Sequence, residues 1–161
     1  MTAIVCVDRN WAIGREGRLL FRIAADMRRF RAITMGHVLL MGRRTFEGLP
    51  GVLPGRAHVV LSHNTAFTHE SVTICRSLED GIAAAKAMGE VFVIGGGEVY
   101  AALLPYCNRA LVTQVDAADP AANAFFPNLD ERAEWRLVEA SEWQEEAGLR
   151  FRYRAYKKIS L

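Results

Sequence analysis

The stretch that most constrains the fold is the apolar run at residues 91–94 (VFVI) together with the three glycines that follow it. Four consecutive β-branched or aromatic residues predict a strand buried on both faces. Residues 98–104 then repeat apolar side chains at helical spacing. Glycines between a buried strand and a helix leave backbone N–H groups bare for a phosphate or a flat ring. Tyr100 stands where the dinucleotide fingerprint needs its third glycine, so an ordinary tight turn remains an alternative.

The composition is typical of one globular domain spanning residues 1–161, because 51% of the chain is hydrophobic and 24% is charged. We expect no signal peptide, since the opening residues lack a basic start and reach Asp8 early. No apolar run approaches membrane-spanning length. Cys6, Cys75 and Cys107 are scattered, which favours a reducing cytoplasm and argues against both a disulfide framework and a metal site.

The charge is divided unevenly along the chain. The first 56 residues hold ten arginines and four acidic residues, whereas the remainder holds ten basic and fourteen acidic residues. A basic half could face nucleic acid or a small polyanion. Because its arginines are not interleaved with stacking aromatics, we favour a small anionic ligand and expect no nucleic-acid partner.

Alternating strand and helix patterns predict an α/β fold. Parallel strands are expected at residues 3–7, 38–41, 58–61, 91–94 and 110–115, with an edge strand at 72–75 and a closing antiparallel pair at 135–140 and 150–158. Helices are expected at residues 24–33 and 77–87, among others. The prediction is a single-domain, mostly parallel central sheet with an antiparallel C-terminal edge and helices on both faces. Ligands in such sheets bind beyond the carboxyl ends of strands. The long loop at residues 9–23, Ser62, His63 and the glycines converge there.

The helix at residues 24–33 carries a carboxylate beside its apolar side. Its spacing predicts that Met27, Phe30 and Ile33 point inward, and Asp26 leans toward the same side. Asp26 is therefore a candidate functional residue beside the apolar side of the helix. The alternative is a first-turn acid that is favoured only by the helix dipole.

The motifs, in this order, resemble those of the dihydrofolate reductase family, and the resemblance runs from the first strand to the last. It rests on Ile13-Gly14, residues 26–30 (DMRRF), 41–47 (MGRRTFE), 53–56 (LPGR), 94–97 (IGGG) with Val99-Tyr100, and Phe126-Pro127. The resemblance implies an oxidoreductase that reduces 7,8-dihydrofolate to tetrahydrofolate with NADPH and supplies one-carbon metabolism. It also implies a cytoplasmic monomer that binds diaminopyrimidine or pteridine antifolates, with no membrane partner.

The resemblance assigns roles to individual residues. It places Asp26, Thr113 and Phe21 at the reaction centre, with Asp26 bound to the pterin and to Thr113. Arg56 would pair with the α-carboxylate of the glutamate tail. The substrate contacts that it implies are Ile4, Val5, Asp26, Met27, Phe30, Leu49, Arg56, Ile94, Tyr100 and Thr113.

The resemblance also implies that NADPH lies across the sheet. The nicotinamide would lie near Ile13, Leu19 and Gly95. The pyrophosphate would lie on the helix starts after Gly42 and Gly95, and the 2′-phosphate near Arg43, Ser62 and His63. In this family the peptide that matches Gly95-Gly96 is cis. The implied cofactor contacts are Cys6, Ile13, Gly14, Leu19, Gly42, Arg43, Arg44, Thr45, Leu61, Ser62, His63, Arg76, Ile94, Gly95, Gly96, Gly97, Glu98, Val99 and Tyr100.

The chain departs from many relatives at several positions. Leu20-Phe21 replaces Pro-Trp, Ala24 replaces Pro, and Glu98 replaces an Arg of some relatives. Residues 120–122 (PAA) replace a Gly-Asp pair that, in some relatives, latches a lid matching the loop at residues 9–23. The alternatives are an NADPH-dependent reductase of riboflavin biosynthesis with the same fold, and a nucleotide-binding protein without catalysis. Asp26 and Arg56 favour the folate reductase.

Overall fold

The computed structural model describes residues 1–159, and within them most strands join one large sheet. The strands are β1 (Thr2–Val7), β2 (Ala12–Arg15), β3 (Arg18–Leu19), β4 (Val38–Gly42), β5 (Ala57–Leu61), β6 (Thr73–Cys75), β7 (Val91–Val93), β8 (Arg109–Val115), β9 (Ala124–Phe125), β10 (Trp135–Ala140), β11 (Gln144–Glu146) and β12 (Leu149–Lys158). The large sheet has the order β10-β12-β8-β1-β7-β4-β5-β6, and β11 pairs with β12.

The predicted fold class is confirmed. β1 pairs in parallel with β7 and β8, and β4 pairs in parallel with β5 and β7. β12 runs antiparallel to β8 and β10, which makes the C-terminal edge. The central strands are covered on both sides, because Leu39, Leu40 and Met41 of β4 are all 0% exposed. Such burial explains why their sequences are continuous apolar runs.

Helices cover both faces of the sheet, as predicted. They are α1 (Ala24–Thr34), α2 (Arg43–Gly48), α3 (Leu78–Met88) and α4 (Gly97–Leu103), with short 3₁₀ turns at Leu104–Tyr106 and Leu129–Glu131. Phe30 of α1 and Phe46 of α2 pack with Ile4 on one face, whereas Ala85 of α3 and Leu103 of α4 belong to the core on the other. Among residues 1–159, no helix has the length and apolarity needed to cross a membrane.

The segment at residues 9–23, predicted as a loop, contains two strands. β2 and β3 form a hairpin, and β9 pairs with the other edge of β2. The expectation of an irregular loop is wrong here because β2 has only four residues and its second partner lies more than a hundred positions away. Short strands of this kind are stabilised by tertiary pairing and leave little periodicity in the sequence.

Candidate active site

Two glycine turns touch at the carboxyl edge of the central strands. The Gly42 N–H, at the end of β4, donates to the carbonyl of Gly95 at 2.9 Å. A Cβ on Gly42 would lie 3.0 Å from Val99, and a Cβ on Gly95, whose φ is +115°, would lie 2.9 Å from the Tyr100 ring. The Gly95–Gly96 peptide is cis, as the resemblance implied. The paired turns expose backbone that a flat ring or a phosphate can approach, which a single tight turn would not.

A carboxylate and a hydroxyl meet beside these turns. The Thr113 hydroxyl on β8 donates to Asp26 Oδ1 on α1 at 2.5 Å. Burial raises the pKa of the Asp26 carboxyl above its ordinary value, against the Thr113 hydrogen bond and the positive charge of Arg29, which lower it. The predicted Asp26–Thr113 contact is therefore present, and burial makes Asp26 more than a solvated helix-start acid.

A residue that sequence reasoning missed holds the start of α1. Glu146 Oε2 accepts from the Ala24 N–H at 2.6 Å, and Oε1 accepts from the Ala25 N–H at 3.0 Å. The residue at the usual capping position, Ile23, supplies no side-chain cap. A carboxylate from β11 thus satisfies two N–H groups of the first turn and complements the helix dipole. The available signal was the absence of both a capping side chain and a proline at the helix start.

Most of the predicted pocket wall lies in one apolar cluster. Ile4 is buried there, and Phe30, Leu49 and Ile94 are half-buried against it. Met27 is 55% exposed, so the prediction that it packs inward is wrong. The inward stripe of α1 is instead Asp26, Phe30 and Ile33, at i, i+4 and i+7, and Met27 falls at its rim.

Two other predicted substrate contacts, Val5 and Tyr100, lie in or against β1. Val5 packs in the core on the face opposite Ile4, as alternation along a strand requires. Tyr100 is buried, and its hydroxyl donates to the Ile4 carbonyl at 2.6 Å. Its ring therefore joins α4 to the backbone of β1 beside Gly95. The roles of these residues toward a substrate stay predictions.

Arg56 lies at the far end of the α1 face. Its Nε donates to the Pro54 carbonyl and its Nη1 to the Thr34 hydroxyl, both at 3.2 Å. The guanidinium lies 6.0 Å from the centre of the Phe30 ring. Burial lowers the pKa of Arg56, and the charge of Arg31 lowers it further. A cation held partly out of water beside a second cation is suited to bind an anion.

The residues predicted to hold a 2′-phosphate form a more exposed group. Arg43 Nη1 pairs with Glu47 Oε1 at 2.7 Å, one turn along α2. Ser62 is buried, and its hydroxyl accepts from the Asn64 N–H at 3.1 Å, whereas His63 and Arg44 are exposed. The structure brings the Ser62 loop beside β4 and α2, because β5 pairs with β4.

Arg76 is committed to the backbone of this loop. Its Nη1 donates to the carbonyls of Ser62 at 3.2 Å and Asn64 at 2.6 Å, and its Nη2 donates to the carbonyl of Phe67 at 3.1 Å. Such contacts shape the loop that carries Ser62 and His63. The sequence suggested Arg76 as a nearby cation but gave no sign of these backbone contacts.

Asn123 ties down the hairpin of β2 and β3, which we call the lid. The Asn123 N–H donates to the Gly14 carbonyl at 3.0 Å, and its Oδ1 accepts from the Glu16 N–H at 3.2 Å. Ile13 and Gly14 are buried in β2, whereas Leu19, which pairs with Gly14 from β3, is 73% exposed. The loop that lacks the Gly-Asp pair therefore still holds the lid, through an amide one position beyond residues 120–122.

The remaining predicted contacts are distributed around these groups. Phe21 and Cys6 are half-buried in a small cluster with Ile23 and Tyr153. Burial raises the pKa of the Cys6 thiol well above its ordinary value, and the charge of Asp26 raises it further, so this thiol stays protonated. Across residues 1–159 no group of three or more His, Cys, Asp or Glu side chains is placed to hold a metal ion. The other assigned positions show a range of exposure: Thr45, Leu61, Gly96, Gly97 and Val99 are half-buried, and Glu98 is exposed.

Comparison with known proteins identifies the family. The family described as dihydrofolate reductase matches residues 1–158. The chain belongs to the dihydrofolate reductase family. It is 43% identical to the dihydrofolate reductase of Mycobacterium tuberculosis over 152 residues, which cover 91% of this chain and 90% of that protein. It is 38% identical to dihydrofolate reductase type 3 of Salmonella typhimurium over 117 residues, covering 73% and 72%.

The family assignment extends to the three-dimensional structure. A solved structure of dihydrofolate reductase from Enterococcus faecalis, complexed with NADP(H) and RAB-propyl, matches with a TM-score of 0.86 at 30% sequence identity. The match covers 99% of this chain and 96% of that chain. The resemblance inferred from the motifs is thereby confirmed, including the α/β fold with its mixed sheet.

Proposed function

We propose that this member of the dihydrofolate reductase family reduces 7,8-dihydrofolate to 5,6,7,8-tetrahydrofolate with NADPH. The observation that carries the proposal is the Asp26–Thr113 pair, a partly buried carboxylate at the edge of an otherwise apolar wall. A flat pterin with one amidine-like edge needs this arrangement, in which apolar contacts cover the ring faces and one acceptor binds the N–H groups. The Asp26 carboxylate would accept from the pterin 2-amino group and N3.

The pocket residues hold the pterin and favour protonation at its N5. Ile4, Phe30, Leu49 and Ile94 would cover the ring faces and exclude water. Asp26 would stabilise positive charge that develops on the ring, without itself having to be the direct proton donor. Thr113 keeps the carboxylate oriented through its hydroxyl. These residues thus supply orientation, dryness and one negative charge.

Arg56 would bind the α-carboxylate of the glutamate tail. Its Nε and Nη1 are already fixed by Pro54 and Thr34, so the guanidinium is held in place before substrate arrives. A charge-assisted guanidinium–carboxylate contact made by a preorganised side chain loses little conformational entropy on binding.

The residues around the two glycine turns fit a nicotinamide dinucleotide. The buried Ile13 offers an apolar surface, and the backbone at Gly95–Gly97 offers N–H donors. The Arg43 cation and the Ser62 hydroxyl offer an anion site. When bound, NADPH supplies the hydride that reduces the pterin. The lid would close over that ring, with Asn123 holding β2 at Gly14 and the turn at Glu16 and Phe21 beside the pocket.

We also propose the setting in which the enzyme works. The whole of residues 1–161 would act as one domain, as a monomer in the cytoplasm, where Cys6, Cys75 and Cys107 remain free thiols. The Enterococcus faecalis relative is complexed with RAB-propyl as well as NADP(H). Because the pocket here has an acceptor on an apolar wall, diaminopyrimidine or pteridine antifolates should compete with dihydrofolate for Asp26.

One assay tests the proposal. Purified protein mixed with NADPH should lose the absorbance of the reduced nicotinamide only after 7,8-dihydrofolate is added. The product should be tetrahydrofolate in a one-to-one ratio with oxidised cofactor. Folded protein that binds NADPH but shows no substrate-dependent oxidation would favour a nucleotide-binding protein without catalysis and refute the proposal.

A further inference from the structure

The loop that carries Arg56 has little burial to hold its shape. In the connection between α2 and β5, Leu49 and Leu53 pack half-buried against the cluster of Ile4, but Pro50, Gly51, Val52, Pro54 and Gly55 are all exposed. A segment that buries so little apolar surface must be fixed by hydrogen bonds if it is to have one conformation.

The side chain of His58, on β5, provides two of these hydrogen bonds from beneath the loop. Its Nε2 accepts from the Leu53 N–H at 3.0 Å, and its Nδ1 lies 3.0 Å from the carbonyl of Arg56 itself. His58 is only 3% exposed, and its ring packs nearly perpendicular to that of Phe46 with ring centres 6.2 Å apart. The ring therefore bridges the middle of the loop to the residue that ends it.

The two contacts determine the state of the imidazole. A backbone N–H can only donate and a carbonyl can only accept, so Nε2 must be bare and Nδ1 must carry the proton. This is the neutral ring in one tautomer. Burial lowers the pKa of His58, the neighbouring charges of Arg56 and His69 lower it further, and the hydrogen bond to the Arg56 carbonyl raises it in part.

We propose that His58 is a positioning residue for recognition of the substrate's glutamate tail, acting through Arg56. The inference rests on the proposed function, in which Arg56 binds the tail carboxylate. His58 fixes the Arg56 backbone, while Pro54 and Thr34 fix its guanidinium. Loss of the imidazole leaves a partly buried N–H and a partly buried carbonyl without this partner and lets the guanidinium leave its binding position.

The test compares two substrates at saturating NADPH: 7,8-dihydrofolate, and a 7,8-dihydropterin that lacks the p-aminobenzoylglutamate tail. His58→Leu should raise KM for dihydrofolate about ten-fold, the effect of about 1.4 kcal/mol. Its kcat, and both constants for the tail-less substrate, should stay within about two-fold of the parent, since the pterin pocket is unaltered.

The design separates this role from a general effect on folding. His69→Leu is the matched control, because His69 contacts the same Phe46 ring, at 5.1 Å, and is exposed; it should leave all constants unchanged. In His58→Asn the side-chain amide can replace Nδ1 as the donor to the Arg56 carbonyl, so this variant should recover part of the lost affinity. A melting curve and the KM for NADPH show whether His58→Leu is folded. If it is not, His58→Asn replaces it as the test variant.

The pH dependence provides a second readout. The ratio of the two KM values (dihydrofolate over the tail-less substrate) should stay level near neutral pH. It should rise only at a pH below the ordinary imidazole pKa of about 6.5, since burial lowers the pKa of His58. The rise is expected because a protonated ring places a second N–H against that of Leu53. In His58→Asn the ratio should not change over this range.

The outcomes distinguish the inference from the proposal on which it rests. If Arg56→Ala raises KM only for the tailed substrate but His58→Leu does not, the role of His58 is wrong and that of Arg56 stands. If His58→Leu raises both KM values equally, the residue is only structural. If Arg56→Ala affects both substrates alike, the assignment of the tail to Arg56 fails, and the inference fails with it.

Discussion

The two ends of the proposed site are built differently. At the end that would hold the pterin, which we call the pterin end, Asp26 and Thr113 lie on regular elements and share a 2.5 Å hydrogen bond beside a buried cluster. At the end that would hold the 2′-phosphate, the phosphate end, Arg43 and Glu47 pair at the surface with side chains 32% and 51% exposed. Water screens charges at the second end far more than at the first.

The difference indicates how each end contributes. One charge at the pterin end acts in a low-dielectric setting, so it can change a reaction rate, whereas the phosphate end adds affinity through several contacts that water weakens. Substitutions should therefore affect turnover at the first end and cofactor preference at the second. Three substitutions test this contrast, in order of decreasing effect.

Asp26→Asn should have the largest effect. Turnover at neutral pH is expected to fall about a hundred-fold or more, the scale of a group that assists a proton step. The amide keeps the shape of the carboxylate but not its charge. The loss of turnover should shrink toward acid pH, because a larger fraction of the pterin is then already protonated in solution. Steady-state kcat and kcat/KM measured from about pH 5 to 8 check this.

The same variant tests the cost of burying the carboxylate. Because burial raises the pKa of Asp26, the folded state binds its proton more tightly than the unfolded state, and stability falls as pH rises above the ordinary value of 3.8. Asp26→Asn should therefore melt at the same or a higher temperature than the parent at neutral pH, with the gain disappearing in acid. A lower melting temperature with undiminished turnover would restore the helix-dipole interpretation of Asp26.

Arg43→Ala should have an intermediate effect that is confined to the cofactor. A guanidinium–phosphate contact contributes roughly 1.5–3 kcal/mol, so NADPH should bind about ten-fold or more weakly while NADH is nearly unaffected. The matched control is Glu47→Gln, which releases Arg43 from its 2.7 Å ion pair. Since such an i, i+4 pair contributes about 0.3–0.5 kcal/mol, the control should tighten NADPH about two-fold. Equal losses for NADPH and NADH would contradict the assignment.

Glu146→Ala should have the smallest effect, about 1 kcal/mol of unfolding free energy with a few-fold loss of kcat, because it uncaps the helix that carries Asp26. Ala24→Pro provides the rescue. It removes one of the two N–H groups left without a partner, at the first helical position, where proline is favoured. Ile23 already has the extended backbone that a following proline requires.

The double variant decides the mechanism of this cap. Glu146→Ala combined with Ala24→Pro should regain much of the stability and turnover lost in the single variant, as measured by urea unfolding and kcat. Turnover that stays low after stability recovers would mean that Glu146 acts on the pterin end in some way other than as a cap.

The sequence by itself determined the architecture and the family, and it predicted the site. A strand that is buried on both of its faces requires a continuous apolar run. A strand that ends in glycine and leads into a helix also has a recognisable order of residue types. Both features therefore leave local patterns in the sequence. The motifs at residues 26–30, 41–47 and 94–97 were enough to name the family, and the Asp26–Thr113 contact followed from that resemblance.

Only the tertiary structure decided how these residues are held. Glu146 caps a helix more than a hundred positions before it, Asn123 binds the lid at Glu16, and β9 pairs with β2 across a similar separation. The outward position of Met27 likewise depends on which stripe of α1 the sheet accepts. The contacts of Glu146, Asn123 and the β2–β9 pair all involve backbone atoms, which every residue possesses. They therefore produce no pattern in the sequence at the backbone partner.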